Sequence, residues 1–292
     1  MRACSSWLFV AVLAGSVSLA GCSGIPPEPF VVSDAASRAA AAQTQANELS
    51  ASFAALASTA GGQIAVAWAP VGQPEKVQHL GFTTDDDAWS TMKVPIALAA
   101  ALDAEGDEDK EKVWTTAALT VSDNDAAAQL WRSLGDVQRA SSKVEALLRD
   151  AGDTRTQVAQ DERGVRRGFG RTSWTVSDSA RFTAALPCEP EATRVLAPMG
   201  QVTPEQAWGL GKLPGSAFKG GWGPSAHGYL VRQIGLLDRG EGQVAVALMT
   251  QPKDGEHETG TATASALATW ISQNLRPGDA GRCALPQSTP TD

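Results

Sequence analysis

The sequence predicts a mixed α/β (α+β) domain, with one antiparallel five-stranded sheet built from both chain ends, flanked by helices, and an all-helical lobe inserted between. Three observations predict it. Two strand-like segments lie near the start, and three more lie close together near the end. Between them runs a long stretch of helical periodicity, and alanine-rich helical segments bracket the whole.

Ser33 is an N-cap for an alanine-rich helix that runs to about Ala60 and stops at Gly61-Gly62. From Gln63 to Pro70, Ile64, Val66 and Trp68 alternate with alanines, the pattern of a strand packed on both faces. Val77 to Phe82 reads as its hairpin partner. Trp89 to Leu102 is apolar except around Ser90 and Lys93, which makes a buried helix. Helical pattern returns over Val113 to Leu134, Val137 to Ala151 and Ser177 to Leu186. Strands follow at Ala217 to Gly220, Gly228 to Asp238 and Gln243 to Gln251, and a helix from Thr261 to Leu275 closes the domain. The segment after Pro277 is rich in Pro, Thr and Ser and reads as a loose tail. No internal repeat is present.

The first residues point to export. Arg2 precedes a short apolar run, Trp7 to Leu19, which is too short to span a bilayer comfortably, and Leu19-Ala20-Gly21-Cys22 has the small-residue pattern of a bacterial lipobox. The expected organisation is a signal peptide over 1–21, a lipidated Cys22 with a Pro-rich linker over 22–32, a catalytic domain over 33–278 and a tail over 279–292. Losing Arg2 leaves 23 basic against 32 acidic residues, a net charge of −9. No basic stripe offsets it, which argues against a nucleic-acid partner. Membrane contact is expected through the lipid alone, at the outer face of the cell membrane, with the chain a monomer. Cys188 and Cys283 remain after Cys4 leaves and Cys22 is acylated, and an oxidising compartment favours their pairing over two free thiols. His79, His227 and His257 stand singly, so neither a metal nor another cofactor is expected.

Three polar clusters interrupt the apolar background in order: Ser90-Thr91-Met92-Lys93, Ser122-Asp123-Asn124 and Lys219-Gly220-Gly221. Each has a plain structural reading. Ser90 could be an N-cap and Lys93 a snorkelling surface lysine, Ser-Asp-Asn a helix start, and the glycine pair a bulge or turn. Ser-x-x-Lys even recurs as Ser216-Ala217-Phe218-Lys219. Their chemical reading is a nucleophile with a lysine one turn away, a second hydroxyl and a second cation, sufficient for acyl transfer without histidine. Lys93 would have to be neutral to take the Ser90 proton, through burial and a nearby cation, with Lys219 the candidate. No Gly-x-Ser-x-Gly elbow or phosphate-binding Gly-Lys-Ser/Thr loop competes in the chain after the leader.

In this order and context the clusters resemble the β-lactamase and penicillin-binding serine hydrolases, and the resemblance covers roughly residues 33 to 275. It implies that Ser90 is the nucleophile, Lys93 its base and Ser122 the relay to the leaving group. It further implies that Asn124 binds the substrate amide and the lysine. Lys219, Gly220 and Gly221 would form a docking rail, with the backbone N–H groups of Trp222 and Ser90 as an oxyanion hole. The expected substrate is a small molecule or a peptidoglycan peptide, a D-alanyl peptide or a β-lactam-like amide or ester.

The chain departs from the pattern in three places. Only 31 residues separate Ser90 from Ser122, about half the class A spacing, which predicts a more open cleft. Gly220 stands where a hydroxyl residue normally helps bind a substrate carboxylate, and Arg232 is the candidate replacement. No Glu-x-x-Leu-Asn segment occurs; Gln157 to Gly170 offers only Asp161 and Glu162, beside Arg163, Arg166 and Arg167. The alternatives to an envelope acyl-enzyme are therefore a modest-rate β-lactamase and a non-catalytic binding protein on the same fold.

Overall fold

A computed structural model describes residues 34–104, 108–159, 168–225 and 228–284. The leader, Cys22, the linker, Ser33 and the Asp161–Arg167 acid–arginine segment lie outside them. The chain divides into two units, Met1–Thr44 and Gln45–Asp292. The sheet and the site belong to the second.

The elements are α1 (Asp34–Thr59), β1 (Gly62–Pro70), β2 (Gln78–Gly81), α2 (Lys93–Asp103), α3 (Glu108–Thr120), α4 (Asn124–Ser133), α5 (Val137–Asp150), α6 (Val176–Ala185), α7 (Ala192–Met199), β3 (Ala217–Ser225), β4 (Gly228–Asp238), β5 (Gln243–Pro252) and α8 (His257–Asn274). The strands form one sheet in the order β2-β1-β5-β4-β3. Every neighbouring pair is antiparallel. The two chain ends therefore meet at β1 and β5, where Val66 faces Leu248.

Alternation along β1 sets the two sides of the sheet. Ile64, Val66 and Trp68 join Val246, Leu248, Leu267 and Trp270 in one core with α8. Ala65 and Ala67 face the other way, into the core with Met92, Ile96, Ala247 and Met249. Small side chains on that side let α6 lie close against β1 and β5, since interiors pack near crystal density.

Differences from the expected elements have local causes. The helical run predicted over Val113 to Leu134 is broken at Ser122, whose φ is +59°. Asp123 then caps α4 by accepting from Ala126 N at 2.7 Å. Helix α6 starts one residue early because the Thr175 side chain accepts from Asp178 N at 2.9 Å. Helix α7 was not anticipated; Pro190 and Pro198 crowd its short sequence and hide its period. Contacts with the domain continue past residue 278. Gly281 pairs with Gln243, and Cys283 is bonded to Cys188, so the ordered chain continues to the bridge. Closing that 95-residue separation restricts the unfolded chain by about 4–5 kcal/mol in the loop-entropy treatment.

Candidate active site

The loop that enters α2 is pinned before it turns. Ala88 N donates to Thr172 O at 2.8 Å, and Thr91 Oγ1 donates to Ala88 O at 2.5 Å. A 3₁₀ turn, Trp89–Met92, then leads into α2 and carries Ser90, half-buried, at its start. Among the described residues only Trp89 (φ +47°) and Ser122 (φ +59°) are non-glycine residues in the left-handed region. One immediately precedes Ser90, and the other carries the hydroxyl of the second polar cluster. Such strain persists only where surrounding structure holds it, and it concentrates at functional sites.

Lys93 is enclosed, at 1% exposure, in the first turn of α2. Its Nζ donates to Ser122 O at 2.5 Å, Asn124 Oδ1 at 2.8 Å, and Asp123 O and Ser122 Oγ at 3.2 Å. Lys219 Nζ, from β3, donates to Gly220 O at 2.7 Å and Ser122 Oγ at 2.9 Å. The Ser122 hydroxyl thus sits between two lysine amines. Among the described residues neither lysine forms a salt bridge, and none of the hydrogen bonds formed by Lys93 Nζ goes to Ser90 Oγ. Both residues nevertheless line the same cleft, of about 470 Å³, with Ser122, Asn124, Trp222 and Tyr229.

Burial pushes the Lys93 amine down to about 7, against a smaller upward pull from Asp123. Burial also holds Lys219 well below its usual value, and the Lys93 charge adds to that depression. Both amines reach the Ser122 hydroxyl, so beyond desolvation each disfavours the charged form of the other.

The glycine pair serves space rather than flexibility. A Cβ on Gly221 would lie 2.8 Å from Ser90 N, 3.0 Å from Thr91 N and 3.1 Å from Ala88 O. Only a residue without a side chain lets β3 lie along the Trp89–Met92 turn. A Cβ on Gly220 would lie 2.9 Å from Trp208 Cζ2, so an indole occupies the room a hydroxyl side chain would need. Trp208 sits in the loop before β3, and no motif in the sequence announced it.

Arg232 is not a cleft residue. It is 1% exposed and shares the Gly221 register on β4. Nη1 donates to Asp87 O at 3.1 Å, Trp174 O at 3.0 Å and Asp86 O at 3.3 Å, and Nη2 donates to Ser179 Oγ at 2.6 Å. It buttresses the loop before Ser90 from beneath, so its expected role toward a substrate carboxylate is withdrawn. Asp86 adds to the brace by accepting from Gln251 Nε2 at 2.7 Å. Glu162 and Asp161, the only acids available for water activation in their segment, lie outside the described residues.

No protein-family model matches the chain, and no curated protein matches it. Solved structures do. An ancestral class A β-lactamase (GNCA) is 18% identical over 78% of this chain and 100% of its own, with a TM-score of 0.56. A class A β-lactamase from Mycobacterium abscessus is 18% identical over 77% and 98%, with a TM-score of 0.58. The TLA-3 extended-spectrum β-lactamase is 14% identical over 78% and 98%, with a TM-score of 0.60. The chain has the class A β-lactamase fold.

Proposed function

We propose that the protein is a serine acyl-enzyme: Ser90 attacks an amide or ester carbonyl, Lys93 takes its proton, and Ser122 relays a proton to the leaving atom. One observation carries this reading. Ser122 Oγ lies 3.2 Å from Lys93 Nζ and 2.9 Å from Lys219 Nζ, beside a cleft that also holds Ser90. Burying two amines without a carboxylate is costly for the fold, and a proton path is what such a pair provides. A neutral Lys93 keeps two N–H donors for Ser122 O and Asn124 Oδ1 and one lone pair for a proton. Gly221 brings β3 against Ser90 N, which supports Ser90 and Trp222 N–H groups as the donors for the developing oxyanion. After the leaving group departs, Lys93, neutral again, activates the water that releases the acid.

A fluorophosphonate probe tests this without assuming a substrate. Ser90 Oγ displaces fluoride and forms an O–P bond, so the intact mass rises by one phosphonyl group. Wild type is expected to label fully and Ser90→Ala to remain unlabelled. An equally labelled alanine variant, or no adduct on wild type, ends the proposal.

The leader supports placing this activity at the outer face of a bacterial membrane through a lipid on Cys22. Expressed in a lipoprotein-processing bacterium, wild type should pellet with membranes and Cys22→Ala should not. Equal pelleting of both would remove the anchor from the account.

A further inference from the structure

We propose that the cleft selects acyl donors whose leaving half is uncharged and aromatic, aryl esters above all, and discriminates against leaving halves that carry a carboxylate. This rests on Ser90 being the nucleophile and goes beyond it by naming the substrate class.

The carboxylate side of the argument concerns cations. Lys93 and Lys219 are enclosed, and their Nζ atoms are committed to Ser122, Asn124 and Gly220. Arg232 lies beneath the loop with its guanidinium bonded to three carbonyls and Ser179. Arg171, beside the cleft, pairs with Asp87 at 2.8 Å and rests over the Trp89 ring at 5.4 Å. Among the described residues, no uncommitted cation faces the cleft. The hydroxyl position at residue 220 is closed by Trp208. Against the described residues a bound carboxylate would lose water and gain no uncommitted charged partner, an unfavourable exchange.

The aromatic side is equally concrete. Trp89, Phe169, Trp222 and Tyr229 line the cleft. Trp222 stands edge-on to Trp208 at 5.9 Å and packs on His257 at 5.4 Å, and Tyr229 meets His257 at 6.2 Å. Rings fixed in this way offer faces and edges to another ring at little further entropic cost. Trp222 lies near the leaving-group relay: a Cβ on Gly220 would be 3.6 Å from Trp222 Cζ3. Gly220, whose Cβ position touches Trp208, bonds through its carbonyl to Lys219, and Lys219 bonds Ser122.

The reaction balances. Ser90 Oγ bonds to the ester carbonyl carbon, and its proton passes to Lys93. The C–O bond to the aryl group breaks as Ser122 delivers a proton to the departing oxygen and recovers one from Lys93. Water then cleaves the acyl-serine, giving one carboxylic acid and one phenol per ester and water consumed.

The test uses two chromogenic esters with the same acyl chain, 4-nitrophenyl butyrate and 3-carboxy-4-nitrophenyl butyrate. Rates are taken as the Ser90→Ala-subtracted kcat/KM, corrected for hydroxide-catalysed hydrolysis. Wild type is expected to favour the neutral ester by roughly 30-fold. Tyr229→Arg, which brings a cation to the cleft wall, should cut that ratio by roughly tenfold. Equal rates for the two esters overturn the inference, as does a ratio unmoved by Tyr229→Arg in a variant that still turns over the neutral ester. Fluorophosphonate labelling separates the two levels. A labelled Ser90 with no turnover of the neutral ester overturns the substrate class alone. An unlabelled Ser90 with no Ser90-dependent turnover overturns the nucleophile as well.

Discussion

Lys93→Met should lower the rate of Ser90 acylation by roughly 100- to 10,000-fold while leaving the protein folded, because a buried thioether fills the space but accepts no proton. The expected pH profile shows why. Burial brings the Lys93 amine to about 7, so its free lone pair becomes available as pH rises through that value. Wild-type kcat/KM should climb about tenfold per unit below pH 7 and flatten above it, and Lys93→Met should abolish the inflection. Stability gives an independent check with the sign worked out. Between about pH 7 and the usual lysine value, the unfolded chain binds a proton at residue 93 that the folded chain does not. Stability from Lys93 therefore rises with pH across that window, and Lys93→Met should reduce the slope measured by denaturant titration. A wild-type inflection near pH 7 that survives the substitution would assign the base elsewhere.

Arg232→Met is expected to cost about 3–5 kcal/mol, the usual consequence of removing one member of a buried charged network. The carbonyls of Asp87 and Trp174 and the Ser179 hydroxyl would each lose the guanidinium donor, while Asp86 O would keep Trp174 N at 2.9 Å. The melting temperature should fall by about 10 °C for a domain of this size. Burial lowers the guanidinium only to about 10, so it is charged at neutral pH, and Asp86 and Asp87 oppose the shift. A substrate-binding arginine would behave differently, raising KM for carboxylated donors at unchanged stability. Differential scanning calorimetry alongside steady-state kinetics on the two butyrates separates these outcomes. An unaltered melting temperature would refute the bracing role.

The strand pattern was legible because burial on both faces leaves a mark that needs no knowledge of partners. Ile64, Val66 and Trp68 alternate with alanines, and the sheet uses both sets. Ser90, Lys93, Ser122 and Lys219 were legible as a set because their chemistry is unusual in apolar surroundings and their order is fixed. Their spacing placed Lys93 near Ser90, yet its hydrogen bonds go to the Ser122–Asn124 segment, 29 to 31 residues away. Chain proximity says which groups can meet, not which acceptor is nearest once β3, α2 and the Ser122 turn are packed.

By itself, then, the sequence determined the mixed α/β architecture, the polar residues available for acyl transfer and the pairing favoured for Cys188 with Cys283. Only the tertiary structure decided how they are used. Arg232 went beneath the sheet-side loop because Asp86, Asp87 and Trp174 turn their carbonyls there. Trp208 closed the space over Gly220, and Gly221 kept β3 in contact with Ser90 N. Periodicity and motif order are local properties, written in residue type. Burial, amine acidity and the shape of a cleft depend on neighbours far away in the chain, and exist only after the sheet has brought both ends together.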